Sequence, residues 1–510
     1  MQKLYRQCIE DENIRKAIKL QLSVAGSKTA GPDGINKFNL PKEEIIIKEV
    51  KKRIRGFKRV CSRKVEIPKI NGTRILTIIN LYDRIAQQCV FQIIEPILDS
   101  CFSKHSYGFR RGQSTKTCVS KLANVIFNFK GDYYTIEIDF NKCFDNIPLE
   151  RCLDLLREKG IRDTQLIKVI KRLMWISKEY DGIGLGQGTI LGPLLANLYL
   201  DKLDKFMESR FWLNGEHKAR KRDYERHKDH WFHWLCESNK RISCRYYRYA
   251  DDFVITCSSE EEQRYIYESL VEFINNELDI TINYEKTKLG VNCVIRFLGY
   301  RIRKTNSVII SPSNEKEIVK ELKKHKFNSL YEGQKFIQWA SGIFNYYDIC
   351  SNLSHIIDKM NMRMYKRSAK NHSHLKRVEG KNKYWMAGIS RQRLYINLWN
   401  IRKSSKKSIK DYCINSWWLA ERERINVDIL NGYNIYTWNL FTRQQGLDIV
   451  TNERLDIYNM EIHHVIPIKN GGKNSLDNLI LLNKETHRLI HSKEITNNIK
   501  VKRYRKMLQN

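Results

Sequence analysis

Eight prolines in 510 residues, with no glycine- or serine-rich tract, exclude long flexible linkers and predict domains that abut. No run approaches the ~18 apolar residues of a membrane-spanning helix. The N-terminus, Met1-Gln2-Lys3-Leu4-Tyr5-Arg6, soon meets Glu10-Asp11-Glu12. It has no apolar signal core and is too acidic for a transit peptide. The 13 cysteines are odd in number, scattered and never spaced as C-x-x-C. That pattern predicts reduced thiols in an intracellular compartment and excludes cysteine-pair zinc knuckles. No internal repeat is present. Acidic residues are also in deficit, 57 against 91 Lys plus Arg, for a net charge of +34. The excess runs from end to end, so the expected partner is nucleic acid. A basic membrane-surface protein would need an apolar anchor, and none appears. At about 150 residues per domain the length predicts roughly three or four domains.

Against this background one stretch stands out: Arg248-Tyr249-Ala250-Asp251-Asp252-Phe253-Val254-Ile255. Two adjacent carboxylates sit between β-prone flanks, which predicts a hairpin with the pair at or beside its tip. Alone, Asp-Asp reads as a solvated acidic turn. Upstream, Tyr134-Thr135-Ile136-Glu137-Ile138-Asp139 alternates in the strand period, with Asp139 at the strand end. A lone strand-end Asp is usually a helix cap, yet a third carboxylate is what a two-metal site at the hairpin needs.

Residues 1 to about 60 read as short helices and loops. Val65-Glu66-Ile67-Pro68-Lys69 and Thr73-Arg74-Ile75-Leu76, joined at Asn71-Gly72, predict a second hairpin with Lys69 and Arg74 beside its turn. Residues 81–98 read as a helix. Gly182 to Thr189 is glycine-rich, lacks P-loop spacing, and opens an apolar helix, Leu191 to Leu200. His217, His227, His230 and His233 fall in a basic stretch without companion ligands and read as a surface insertion. Residues from about 315 to 390 read as helical. The following basic stretch carries Trp399, Trp417, Trp418 and Trp438. Aromatics among cations suit nucleic acid, and ordinary packing explains most tryptophans.

Near the C-terminus, Glu461-Ile462-His463-His464-Val465-Ile466-Pro467, Gly471-Gly472, Asn478-Leu479 and His487-x-x-x-His491 read as strand, loop, strand, helix. His487 and His491 lie one helical turn apart. With His463 they can hold a divalent cation. His464 points to the other side of its strand, placed to act as a base on water.

The ordered set resembles the reverse transcriptases of group II introns. It comprises Ile67-Pro68-Lys69, Arg74, Ser106-Tyr107-Gly108-Phe109-Arg110, Asp139 with Phe144-Asp145, Gln187-Gly188 and Pro193-Leu194-Leu195-Ala196-Asn197. It continues with Tyr249-Ala250-Asp251-Asp252, Glu285-Lys286-Thr287-Lys288 and Phe297-Leu298-Gly299-Tyr300. Gly342-Ile343-Phe344-Asn345-Tyr346-Tyr347 is similar to the family's thumb, or maturase, region. The C-terminal pattern resembles the HNH (ββα-metal) nuclease. This sequence has Leu185-Gly186 where the family has Thr-Pro, Gly192 for Ser, and Thr77-Ile78-Ile79 for Gly-Ile-Pro.

The resemblance implies an α+β multidomain chain. Its parts are right-hand polymerase fingers (1–130), palm (131–312), helical thumb/maturase domain (313–390), basic DNA-binding segment (391–440) and C-terminal HNH domain (441–510). It implies that Asp139, Asp251, Asp252 and the Phe140 carbonyl bind two Mg²⁺, and that Lys69 and Arg74 hold the triphosphate. Phe144 excludes the ribose 2′-hydroxyl; Gln187, Gly188 and Lys286 complete the substrate site. In the nuclease, His464 is the general base, His463, His487 and His491 hold one divalent metal, and Asn478 braces the loop. Related intron proteins carry cysteine pairs for a structural zinc. Here Arg443-Gln444-Gln445-Gly446, Asp448, Thr451 and Thr486 occupy that region, so no structural zinc is expected.

The implied function is splicing assistance, DNA nicking and target-primed reverse transcription. The implied partners are group II intron RNA, target DNA and deoxynucleoside triphosphates, in an intracellular ribonucleoprotein of a bacterium or organelle. No membrane is expected, and a homodimer is left open. Rival readings are a splicing factor with decayed enzyme domains and a free-standing defence reverse transcriptase. Intact carboxylate and histidine sets argue against the first, and the HNH tail against the second.

Overall fold

The computed structural model describes residues 4–56, 60–69, 72–176, 181–214, 242–305, 307–369, 374–378, 384–387 and 394–403, with shorter stretches beyond 437, chiefly 446–455, 459–468 and 478–492. The histidine-rich insertion, Trp417, Trp418, Trp438 and most of the basic segment lie outside the described residues.

Helices α1 (Leu4–Cys8), α2 (Asp11–Ser23) and α3 (Glu43–Arg55) pack on the long helix α4 (Leu81–Asp99). Ahead of α4, strands β1 (Ser62–Lys69) and β2 (Gly72–Ile79) pair antiparallel from Ser62 opposite Ile79 to Lys69 opposite Gly72. Gly72 therefore opens the second strand instead of sitting in the turn, and both strands are longer than the sequence predicts. Ile67 and Ile75 stand exposed on this hairpin.

The palm is a five-stranded sheet in the order β4-β5-β6-β3-β7. Its strands are β3 (Tyr134–Ile138), β4 (Trp212–Leu213), β5 (Ser243–Tyr249), β6 (Asp252–Cys257) and β7 (Lys288–Val291). Both faces are covered. Ile136, Ile138, Tyr246, Phe253 and Ile255 join one core, whereas Tyr247 and Val254 join another. Double burial explains the nearly unbroken apolar run after Asp252. The first core is closed by α7 (Leu149–Glu158), α8 (Thr164–Met174), α9 (Gly192–Arg210) and α10 (Glu260–Phe273), and the second by α5 (Thr115–Phe127). The short α6 (Cys143–Asn146) follows β3. In α8, Asp163 caps the backbone N–H groups of Gln165 and Leu166. Leu166, Ile167, Ile170, Leu173 and Met174 then form one buried stripe, each side chain contributing about 1.5–3 kcal/mol.

A small sheet, β10-β9-β8, leads into the thumb: β8 (Ile295–Phe297), β9 (Tyr300–Arg303) and β10 (Ser307–Ile310). Helices α11 (Pro312–Leu322), α12 (Leu330–Tyr346) and α13 (Leu353–Ser368) follow. The sequence predicts helix to about 390. Instead, α13 stops at Ser368, and β11 (Lys376–Val378), β12 (Tyr384–Ala387) and β13 (Leu394–Ile396) form an antiparallel sheet. Strands of three or four residues carry too little pattern to read as strands. Helix α14 (Leu398–Lys403) returns onto α12 and α13, so Ile396 and Leu398 extend the thumb core past 390.

At the C-terminus, β14 (Met460–His464) and β15 (Leu479–Asn483) pair antiparallel, and α15 (Lys484–His491) covers them. The order strand, loop, strand, helix is as the sequence predicts. No described helix is long and apolar enough to cross a membrane.

Candidate active sites

The aspartates gather at one end of the palm sheet. The last paired rung of β3 and β6 is Ile138 opposite Phe253. Asp139 and Asp252 are therefore the next residues on neighbouring strands. Tyr249 pairs with Asp252, which leaves Ala250-Asp251 as a two-residue turn. Ala250 adopts φ +56°, a left-handed conformation that costs a non-glycine residue about 1–2 kcal/mol. Strain of this kind concentrates at functional sites. Cys143, at the start of α6, lies near this turn: burial first, then the Asp251 carboxylate, pushes its thiol far above the ordinary range.

Asp139 is steadied from the stretch Thr281–Thr287. Its carbonyl accepts from Asn283 N–H at 2.8 Å, and its own N–H points to Thr287 Oγ1 at 3.5 Å. Lys286 Nζ stands 3.6 Å from Asp139 Oδ2. Phe140 bridges Ile282. The Glu285-Lys286-Thr287-Lys288 motif thus sits beside Asp139 itself.

The fingers hairpin reaches the glycine-rich loop through Thr77, whose N–H donates to the Gln187 carbonyl at 2.7 Å. Gly188 (φ +107°) lies so close that a Cβ there would be 2.7 Å from Thr77 O. Next along the loop, Leu185 N–H donates to the carbonyl of half-buried Phe144 at 2.8 Å. Arg74 is exposed on β2, opposite Ile67. The Lys69 backbone ends β1; its side chain lies outside the described residues.

Sequence reasoning missed the support beneath the turn. Arg248 is completely buried. Its Nε donates to Asp204 Oδ1 at 2.7 Å and its Nη2 to Oδ2 at 2.5 Å. Its Nη1 donates to the Ala250 carbonyl at 2.8 Å and to Asn197 Oδ1 at 3.2 Å. Tyr246 OH also donates to Asp204 Oδ1, at 2.7 Å. Burial pulls the Arg248 pKa down, but the adjacent Asp204 carboxylate reverses this and holds it above its ordinary value. The available signal was a charged residue inside an apolar strand, with Asp204 on the apolar helix α9.

The Phe297-Leu298-Gly299-Tyr300 motif and the thumb motif pack on each other. Tyr300 stacks on Tyr346 with ring centroids 5.4 Å apart, and Tyr347 meets its edge at 5.3 Å. Tyr346 OH donates to the Leu298 carbonyl at 3.0 Å.

In the C-terminal unit, His463, His487 and His491 bring ligand nitrogens within 4.8 Å of one another. Among the described residues this is the one three-ligand group at that spacing. Glu461 Oε2 accepts from His487 Nδ1 at 2.7 Å, which leaves Nε2 to face a ligand. His463 Nδ1 lies 3.2 Å from His491 Nε2, so these two ring nitrogens face each other inside the cluster. Burial, then the imidazoles of His487, His491 and His464, pushes the His463 pKa down to about 4, so the ring is neutral and able to donate a lone pair. The donor set fits a divalent cation. His464 is half-buried, while His463 on the opposite side of the strand is buried. Asn478 braces the loop after it: Oδ1 accepts from Ile466 N–H at 2.8 Å and Nδ2 donates to Ile466 O at 2.9 Å.

Around the histidines, polar side chains bond directly to the backbone. Buried Asp448 accepts from the N–H groups of Val450 and Thr451 at 3.0 Å each and of Asn483 at 2.8 Å. Gln444 pairs with the backbone of Leu481, donating at 2.8 Å and accepting at 2.7 Å.

Comparison with known proteins agrees with this geometry. Residues 63–302 match the family model "Reverse transcriptase (RNA-dependent DNA polymerase)", and residues 451–493 match "HNH endonuclease". The chain is 29% identical over 319 residues to an "Uncharacterized 91 kDa protein in cob intron" of Schizosaccharomyces pombe, covering 55% of this chain and 38% of that one. It is 26% identical over 407 residues to the "Putative COX1/OXI3 intron 2 protein" of Saccharomyces cerevisiae, covering 64% and 46%. It is 30% identical over 358 residues to the "Group II intron-encoded protein LtrA" of Lactococcus lactis, covering 61% and 58%. The chain thus spans less than two thirds of the length of these relatives. With its palm sheet, its C-terminal ββα unit and these matches, the chain carries a reverse transcriptase domain and an HNH endonuclease domain, and it is similar to group II intron-encoded proteins.

Proposed function

We propose that this protein combines RNA-directed DNA polymerisation, assistance to intron splicing and nicking of one DNA strand in a single target-primed reaction. One observation carries the reading: a strand-end carboxylate set and a ligand-ready imidazole set stand in one chain. The nuclease makes a 3′-hydroxyl, and the palm extends it on an RNA template.

In the palm, Asp139, Asp251, Asp252 and the Phe140 carbonyl would hold two Mg²⁺, which when bound supply charge neutralisation at the triphosphate and activation of the primer hydroxyl. The chain's own residues do the positioning. Lys69 and Arg74 grip the triphosphate, Phe144 blocks a ribose 2′-hydroxyl, and Gln187-Gly188 present backbone to the nucleotide. Lys286 neutralises charge beside Asp139. In the nuclease, His463, His487 and His491 would hold one divalent ion, which when bound stabilises the scissile phosphate and leaving oxygen. His464 takes a proton from water. The intron RNA binds the basic surface, and the assembly works as an intracellular ribonucleoprotein.

The test combines the full chain with the intron RNA transcribed from around its gene, duplex DNA spanning the insertion site, deoxynucleotides and Mg²⁺. The expected product is cDNA joined covalently to the nicked strand. Splicing assistance without nicks or cDNA would instead leave a splicing factor with inert enzyme domains.

A further inference from the structure

We propose that Arg248 is a positioning residue for the polymerase, fixing the peptide that carries Asp251 through a buried relay from Asp204 and Asn197. This rests on the polymerase reading given above. The Ala250 carbonyl belongs to the peptide bond whose nitrogen is Asp251, so holding that oxygen fixes the peptide's rotation. Arg248 Nη1 holds it at 2.8 Å. The guanidinium cannot swivel, because Asp204 grips its other edge through two bonds. Asn197 ties the assembly to the neighbouring loop: Oδ1 accepts from Arg248, and Nδ2 donates to the Gly108 carbonyl at 2.6 Å. Gly108 itself presses on the turn, and a Cβ there would lie 2.3 Å from Ala250 N. The strand is pinned as well: Tyr107 N–H donates to Arg248 O at 2.8 Å, and Arg248 N–H donates to His105 O at 3.0 Å.

Two features separate this from ordinary core packing. A buried ion pair is weak as a source of stability compared with apolar residues of the same volume, and its best-attested use is to specify one conformation. Second, the conformation specified is the left-handed Ala250, which an L-residue leaves readily unless something holds it. A charge-assisted bond to its carbonyl is such a hold. Chemistry at Asp251 is sensitive to this, since misplacing a reacting group by about 1 Å can cost roughly 10²-fold.

The test is Arg248→Lys in the full chain, assayed by primer extension on a supplied RNA template. Lysine keeps the charge beside Asp204 but lacks the fork that spans Asp204 and Ala250 O together. The expected result is a fall in kcat of about 10- to 100-fold, a dNTP KM within about 3-fold, and half-saturation at higher Mg²⁺. DNA nicking by the same preparation stays unchanged. Adding Ala250→Gly, which adopts positive φ without penalty, restores part of the lost kcat. Wild-type kcat and Mg²⁺ dependence in Arg248→Lys would overturn the proposal, as would a loss that Ala250→Gly leaves untouched. If Arg248→Lys does not fold, Asn197→Ala provides the same readout, with a smaller kcat loss expected and an unchanged kcat and Mg²⁺ profile overturning it. A wild-type chain unable to extend any primer would refute the polymerase reading itself, a separate result.

Discussion

The palm holds its carboxylates by shaping backbone; the nuclease holds its imidazoles by bonding side chains. Asp139 and Asp251 sit where strands of a doubly covered sheet end, over a large core and the buried Arg248–Asp204 pair. The described apolar core beside the histidines contains Val450, Leu482, Ile490 and Val501. Its geometry depends on individual polar bonds from Asp448, Gln444, Glu461 and Asn478. A small unit buries a smaller share of its surface and has less apolar stabilisation to draw on. Each polar contact there counts for more, and single substitutions should separate the two halves cleanly.

The largest expected effect is at the palm. Asp251→Asn should lower primer extension by at least about 10³-fold, leaving nicking within about twofold; equal loss of both would mean the halves are not independent. His464→Ala should lower nicking by roughly 10²- to 10⁴-fold while extension of a supplied primer persists. Continued nicking would reject His464 as the base. Asp448→Ala strands three buried N–H groups and should destabilise the nuclease unit by about 3 kcal/mol, read as an earlier first transition in melting. Added zinc should not restore it, because direct bonds occupy this region. If the transition does not move, polar bracing is not what holds this unit.

A smaller effect concerns pH. In the folded state His463 is held down to about 4, below its ordinary 6.5. The unfolded chain therefore takes the proton first. His463 contributes its stability above pH 6.5 and loses it as pH falls from 6.5 toward 4. The folded ring itself stays neutral until pH nears 4, so its share of divalent-ion affinity, followed by titration calorimetry, should weaken only there. His463→Asn should flatten the stability slope; an unchanged slope would point to other groups.

Much of this was legible in sequence because the signals are local. Period-2 alternation placed Asp139 at a strand end, and the β-prone flanks placed Asp251 at a turn. The i, i+4 histidines marked one helix face. What escaped depends on distant partners. Arg248 and Asp204 are 44 residues apart on different elements, and Lys286 meets Asp139 across most of the palm. A charge met singly in sequence reads as solvated. Asp448 reads as an absent cysteine until Asn483 is seen beside it. The β11–β13 sheet escaped because its strands are shorter than any periodicity.

The stacking of Tyr300 on Tyr346, with Tyr347 against its edge, has a mechanical consequence. The turn between β8 and β9 and the end of α12 are held together by these rings and by the Tyr346 hydroxyl on the Leu298 carbonyl. Displacing α12 from the small sheet would break all of these contacts at once, so the two elements move as one body.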